Sequence, residues 1–250
     1  RYWRDWSSDV CSSDLLELGA TKVVTGHYAR IAHDTEANTY RLLRGVDSSK
    51  DQSYVLASLT QEQLSQSLFP IGELAKSEVR RLAHELGLSA VADKPESQDL
   101  CFIPDGDTAG YLRKHLDIPD VPGEIVERDG KVIGEHSGVA YFTVGQRKGL
   151  GIAMGKPRYV LELRVANNQV VVGDMDELLE SQMVVEELNW LQPIPERANV
   201  KYRHQTPAAM ASLQLSGDRV VVSFDEPQKA LTPGQVCVFY QGDEVLGGGT

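Results

Sequence analysis

One cysteine of this 250-residue chain lies between carboxylates and prolines, in Pro95-Glu96-Ser97-Gln98-Asp99-Leu100-Cys101-Phe102-Ile103-Pro104-Asp105-Gly106. Proline fixes φ and restricts the residue before it, so the stretch reads as a shaped loop around a short apolar piece. Such a thiol can serve as a nucleophile, as a sulfur carrier, or as a small buried hydrophobe. Asp99 could handle a proton or cap the loop, and the cap is preferred. Cys11 and Cys237 are far from it in sequence and no CxxC occurs. That spacing speaks against a disulfide framework or a structural zinc, and it suits a reducing cytoplasm. The six histidines are scattered without metal-ligand spacing, so no protein-held metal is expected.

The remaining chemistry is cationic. Acids outnumber bases, 36 to 25, giving a net charge of -11. Wholesale non-specific binding to nucleic acid is thereby disfavoured, but local basic patches are not. Arg147, Lys148, Lys156, Arg158 and Arg164 stand against a single acid, Glu162, between Tyr141 and Val165. Arg147 and Lys148 fall among Gly145, Gly149 and Gly151, a flexible cationic loop whose GxxxGxG spacing is not a nucleotide fingerprint. Lys201-Tyr202-Arg203-His204-Gln205 interleaves an aromatic with cations, as a contact to phosphate and base would. An edge strand kept soluble by charge has the same composition. Gly45-Val46-Asp47-Ser48-Ser49 invites comparison with the SGGxDS loop of ATP pyrophosphatases. Leu43-Arg44 stand where its small residues should be, so it is read as a polar loop.

The elements that must position these groups are of two kinds. Thr21–Gly26 is a β-branched run bounded by glycine, a buried parallel strand with Gly26-His27 at its carboxyl end, where open α/β sheets bind ligands. A hairpin is expected from Ile31–His33 and Thr39–Leu43, and helices over Gln52–Ser58, from the capping box at Thr60, and over Lys76–Leu86. Thr108–Leu116 predicts a helix, and Asp129-Gly130 a type I′ hairpin turn. From Val184 onward, short alternating runs with turns at Gly217-Asp218 and Gln241-Gly242-Asp243 predict a small antiparallel barrel, with Cys237 in its core. No run approaches the ~18 apolar residues of a membrane span.

Residues 1–14 differ from the rest: they hold two of the three tryptophans and repeat Ser-Ser-Asp. They resemble adapter-derived sequence joined to a reading frame, so Cys11 is set aside and the chain is expected to be a fragment. The expected domains are 15–107, 108–180 and 181–250.

Six pieces then resemble one family, in sequence and in order. They are Thr25-Gly26-His27-Tyr28-Ala29-Arg30, Lys50-Asp51-Gln52-Ser53-Tyr54, Ser97-Gln98-Asp99-Leu100-Cys101-Phe102-Ile103, Thr143 to Gly151, Phe224-Asp225-Glu226-Pro227 and Thr232-Pro233-Gly234-Gln235. Together they are similar to the tRNA-specific 2-thiouridylases. The resemblance implies α/β plus all-β architecture: the C-terminal part of a PP-loop ATP-pyrophosphatase domain (adenine-nucleotide alpha-hydrolase-like), a β-rich connector, and a C-terminal antiparallel β-barrel. It implies ATP, with Mg2+ on the nucleotide, and sulfur from a persulfide donor protein delivered to C2 of uridine 34 of tRNA, in the cytoplasm, without DNA or membrane. Cys101 matches the persulfide carrier, and Gly26 an ATP contact. His27, Lys50, Asp51, Gln52, Tyr202, Arg203 and Gln235 match tRNA contacts, to which Arg147 and Lys148 are added. The family's phosphate loop and second catalytic cysteine have no counterpart here. Two other readings stay open: a tRNA-binding connector and barrel without turnover, and a cysteine hydrolase using Cys101 with His84, His115 or His136.

Overall fold

The computed structural model describes residues 19–93, 108–115, 120–152, 155–204 and 206–250. Cys101, its loop and Asp99 lie outside the described residues. In chain order, the first part holds strands β1 (Val23–Val24), β2 (Ala29–Asp34), β3 (Thr39–Arg44) and β4 (Ser67–Leu68), with helices α1 (Gln61–Gln66), α2 (Lys76–Glu85) and α3 (Ser89–Ala92). Helix α4 (Thr108–His115) and strands β5 (Gly123–Glu127), β6 (Val132–His136), β7 (Tyr159–Arg164) and β8 (Gln169–Gly173) follow. Strands β9 (Leu179–Val185), β10 (Asn189–Trp190), β11 (Arg197–Lys201), β12 (Ala209–Ser216), β13 (Arg219–Lys229), β14 (Cys237–Gln241) and β15 (Glu244–Gly249) complete the chain.

The chain forms two compact units, and their limits cut across the domains expected from sequence. The first takes residues up to 94 together with 182–226 and 233–250; the second takes 95–181 and 227–232. The reason is the hairpin of β2 and β3. Instead of staying with the α/β elements, β3 pairs antiparallel with β15, Leu42 opposite Val245 and Leu43 opposite Glu244. The strand order becomes β2-β3-β15-β14-β11-β12-β13, with β10 also on β15. Pairing alone would be weak over so short a register. Burial makes it stable: Ala29, Leu42, Val238, Tyr240 and Val245 share one core with Tyr54, Leu56, Ala57, Leu59 and Leu64. Each large side chain buried there contributes roughly 1.5–3 kcal/mol.

The α/β part keeps its expected signature in miniature. Strand β1 pairs parallel with β4, Val23 opposite Ser67. The Thr60 capping box forms as expected. The segment 52–58 is a string of turns, not the expected helix. Its amides bond three residues back, as in Leu56 to Ser53 and Leu59 to Leu56. The carbonyls of Ala57 and Leu59 go instead to the Asn189 side-chain amide, at 2.9 and 3.0 Å. Asn189 thus anchors the carboxyl end of the segment.

The second unit packs Ile125, Leu150, Val160, Val170 and Val172 between β5–β8, where β5 pairs parallel with β8. The β5–β6 turn is not type I′. Gly130 has φ of 89° while Asp129 is not left-handed, and the Gly130 amide bonds the Glu127 carbonyl. That is a type I turn followed by a left-handed glycine, which places a bulge beside the turn. The Gly145–Gly151 segment is also less free than its glycines suggest. The Gln146 side chain accepts from the Thr143 amide and donates to the Lys148 carbonyl, and Leu150 is buried.

Two variants test these packings. A Cβ on Gly72 would lie 1.8 Å from the Ala29 carbonyl oxygen. Gly72→Ala is expected to destabilise the first unit by about 3 kcal/mol, measured by urea unfolding. In the second unit, His136 is 7% exposed, with the Asn168 backbone beside its ring. Burial lowers its pKa below the ordinary 6.5. The unfolded chain then takes up the proton first, so stability is intact above pH 6.5 and is lost as pH falls toward the folded-state pKa. His136→Leu should flatten that dependence between about pH 7 and 5, followed by thermal melts.

Candidate nucleic-acid interface

The cationic segments separated by some 150 residues of sequence meet in the first unit. Tyr54 is the joint. Its hydroxyl donates to the Val236 carbonyl, next to exposed Gln235. Its ring carries the Lys201 ammonium at 5.5 Å and the His204 ring edge-on at 5.9 Å. Burial pushes the Tyr54 hydroxyl pKa up, so it stays a donor. Thus Lys201, His204 and the Val236 carbonyl, from the far end of the chain, meet on one aromatic side chain that follows Lys50-Asp51-Gln52 in sequence. Arg147 and Lys148 belong to the other unit.

Within that neighbourhood the residues have different roles. Asp51 Oδ1 accepts from the Gly45 and Ser53 amides, at 3.1 and 3.0 Å, and Oδ2 from Ser53 Oγ at 3.0 Å. Ser53 Oγ in turn lies 3.2 Å from the Tyr240 hydroxyl, both residues fully buried. Burial, first, raises the Tyr240 pKa to about 12. Gln52 brackets Tyr28: its side-chain oxygen accepts from the Tyr28 amide and its own amide donates to the Tyr28 carbonyl. Asp51 and Gln52 therefore spend their side chains on the fold. The Tyr202 ring is 6% exposed and packs edge-on against Phe224 at 5.8 Å. Arg203 is half-buried, and its carbonyl closes a turn with Thr206.

His27 and exposed Gly26 sit just past the carboxyl end of β1. His27 Nδ1 lies 2.7 Å from Thr25 Oγ1, and its ring meets Phe69 edge-on at 5.8 Å. Desolvation lowers its pKa, so it is neutral at pH 7. Among the described residues, a Cβ at Gly26 would be in ordinary contact with the Ile71 side chain, at 3.8 Å. The loop at 45–49 offers no matching cradle for phosphates. Three of its five amides are already used: Gly45 by Asp51, Val46 by the Gly72 carbonyl, Ser49 by Asp47. The described residues thus suit one edge of a nucleotide and not its triphosphate.

In the second unit, the basic stretch thins on inspection. Arg158 pairs with Glu127 and with Asp174 at 2.9 Å; Lys156 also takes Asp174, at 2.6 Å, and Arg164 takes Glu162. Lys156 and then the other neighbours hold the Asp174 carboxyl below its ordinary pKa. Only Arg147 and Lys148 of the five remain without an ion pair among the described residues, both exposed. Arg147 lines a cavity of about 450 Å³ with Gly149, Gly151 and Ile152.

Sequence reasoning missed Tyr54, Arg44 and Asn189. Tyr54 was legible as a neighbour of Lys50-Asp51-Gln52, but nothing local marks its reach to Val236. Buried Cys237, whose thiol pKa burial pushes up, is core as expected. Asp51→Ala strands three donors, two of them on fully buried Ser53, and should cost about 2–3 kcal/mol. Asp51→Asn keeps Oδ1 and should cost about 1 kcal/mol, both read from urea midpoints.

Three domain families match the chain. The tRNA methyl transferase HUP domain covers residues 8–105, beginning inside the segment set apart by composition. The tRNA methyl transferase PRC-barrel domain covers 110–174 and the aminomethyltransferase beta-barrel domain 180–250. The curated relatives carry a different transferred group in their names. The tRNA-specific 2-thiouridylase MnmA of Heliobacterium modesticaldum is 48% identical over 244 residues, 94% of this chain and 63% of the relative. That of Carboxydothermus hydrogenoformans is 45% identical, over 97% of this chain and 67% of the relative. That of Solibacter usitatus is 51% identical, over 93% and 66%. The chain spans about two thirds of the length of these relatives. Identity of this extent, over nearly the whole chain, places it in the family of tRNA-specific 2-thiouridylases.

Proposed function

We propose that the chain takes part in ATP-dependent transfer of persulfide sulfur to C2 of the wobble uridine of tRNA. The observation that supports this is the meeting of Lys201, His204 and the Val236 carbonyl on Tyr54, two residues after the Lys50-Asp51-Gln52 segment. In this reading His27, Lys50, Arg203 and Gln235 meet the tRNA. Tyr202, Asp51 and Gln52 hold the backbone that presents them, and Arg147 and Lys148 offer a further phosphate contact from the second unit.

The chemistry asks for a good leaving group and a delivered sulfur. ATP with Mg2+, when bound, would supply the AMP group that makes the uridine C2 oxygen a leaving group, with pyrophosphate released, and Gly26 would lie against the nucleotide. The terminal sulfur of a Cys101 persulfide attacks C2 and AMP leaves with the oxygen. A second thiol then breaks the S–S bond to Cys101, forming a disulfide. The base must leave its stack to be reached. A cytoplasmic setting and a separate persulfide donor protein complete the proposal.

The amides spent at 45–49 favour a second reading for this chain as it stands: a tRNA-binding body that turns over poorly or not at all. Purified chain, unmodified tRNA, Mg2+-ATP and a persulfide donor separate the two, with nucleoside mass spectrometry of the tRNA as readout. tRNA binding with little or no 2-thiouridine is the expected outcome, and robust ATP-dependent thiolation would remove the second reading. Cys101→Ser should abolish persulfide loading, seen by intact mass, while tRNA binding persists. No tRNA binding at low salt would overturn both readings.

A further inference from the structure

Two cations in the first unit are held in a way that the fold itself does not use. Leu42, Val245, Tyr240 and Val238 face one core across adjacent strands. The strand period of two puts Arg44 on the face of Leu42, and Lys201, opposite Val238, on that same face. At its margin this apolar face therefore turns cationic. The Arg44 guanidinium lies over the Tyr240 ring, 4.0 Å from its centroid, and the Lys201 ammonium over the Tyr54 ring. Among the described residues neither side chain makes an ion pair or a hydrogen bond, and Arg44 Nε is buried without a partner.

That is a costly arrangement in a chain with an excess of eleven acids. Two like charges are brought near each other and partly desolvated, without a dedicated counter-ion. The nearest carboxylate is Asp51, within electrostatic reach of Lys201 as Arg44 is. Both of its oxygens are committed to Gly45 and Ser53. It offsets the repulsion and pairs with neither cation. Aromatic faces hold the cations in place while leaving their N–H groups unspent. Unspent donors on two fixed cations suit the two non-bridging oxygens of a phosphodiester monoanion, which a guanidinium fork and an ammonium point charge can share.

We propose that Arg44 and Lys201 jointly bind one phosphodiester group of an RNA strand, with Tyr240 and Tyr54 as their supports and Asp51 as a positioning residue that does not touch the RNA. The inference rests on the tRNA reading above and adds to it a phosphate site that the family resemblance did not supply.

The test measures binding of two probes, an unmodified tRNA transcript and a short single-stranded RNA oligonucleotide, between about 50 and 200 mM KCl. Arg44→Met and Lys201→Met should each weaken binding about tenfold at the low-salt end. Each should flatten the slope of log K against log salt by roughly one. Because both cations serve one phosphate, the double variant should lose about the same slope as either single one. Lys201→Arg should keep the slope. If Arg44→Met does not fold, Lys201→Glu and the charge-keeping Arg44→Lys carry the comparison. Unchanged slopes with both probes bound would overturn the site and leave the tRNA reading standing. A double variant losing twice the slope would overturn the shared phosphate. Binding of the oligonucleotide alone, with flattened slopes, would keep the site and overturn the tRNA reading. Binding of neither probe would overturn both.

Discussion

Everything at the candidate interface depends on two strands meeting edge to edge. Leu42 faces Val245 and Leu43 faces Glu244, and the Arg41 guanidinium grips both Glu244 oxygens across the seam. The ion pair is half-exposed and worth little alone. What makes the seam stable is the apolar layer beneath it, where Leu42, Tyr240 and Val245 are fully buried. Once the seam is closed, Arg44 is carried onto the Tyr240 ring, and Ser53 reaches the Tyr240 hydroxyl. Asp51, bonded to Ser53, then fixes the polar loop from Gly45 onward. Local contacts are consequences of that one junction.

The same junction explains which amides are available. A polar loop rich in Ser and Asp can cradle an anion if its N–H groups point outward. Here Asp47 and Asp51 turn those groups inward: Asp47 accepts from the Ser49 amide and from the Lys76 amide at the start of α2. One carboxylate thus serves both a turn and a helix start, where negative charge is favoured. The loop is built as a hinge point of the fold rather than as a receptor for phosphate.

Much of this was legible in the sequence where the signal is local. The hairpin at 29–44, the Thr60 capping box and the strand-turn rhythm after residue 184 follow from alternation, cap chemistry and glycine placement. The α/β plus β-rich class followed from the same signals. What failed was set by distant partners. The 52–58 segment has helical composition, yet Asn189, from the other end of the chain, claims the Ala57 carbonyl and that of Leu59 just beyond it. The Asp129-Gly130 pair suggests a I′ turn, but only the glycine takes positive φ, so the turn shifts by one residue. The basic stretch near Arg158 looked like a patch because Glu127 and Asp174, its neutralising partners, lie outside the window in sequence. Tyr202 looked like a surface aromatic because alternation could not say which face of β11's continuation meets Phe224. Cys101, the residue with the clearest chemistry, rests on sequence alone.

The Arg41–Glu244 grip joins residues 203 apart in sequence. A ribosome makes the chain from one end, and β15 is among the last segments to emerge. Until it does, β3 has an unpaired edge and Leu42 has no floor beneath it, so the hairpin waits as an exposed two-stranded ribbon. Loop closure over such a distance is a late and slow event. Until that closure Glu244 and Val245 are not there to seat β3, and a product that stops short of β15 leaves Leu42 and Leu43 without their partner strand.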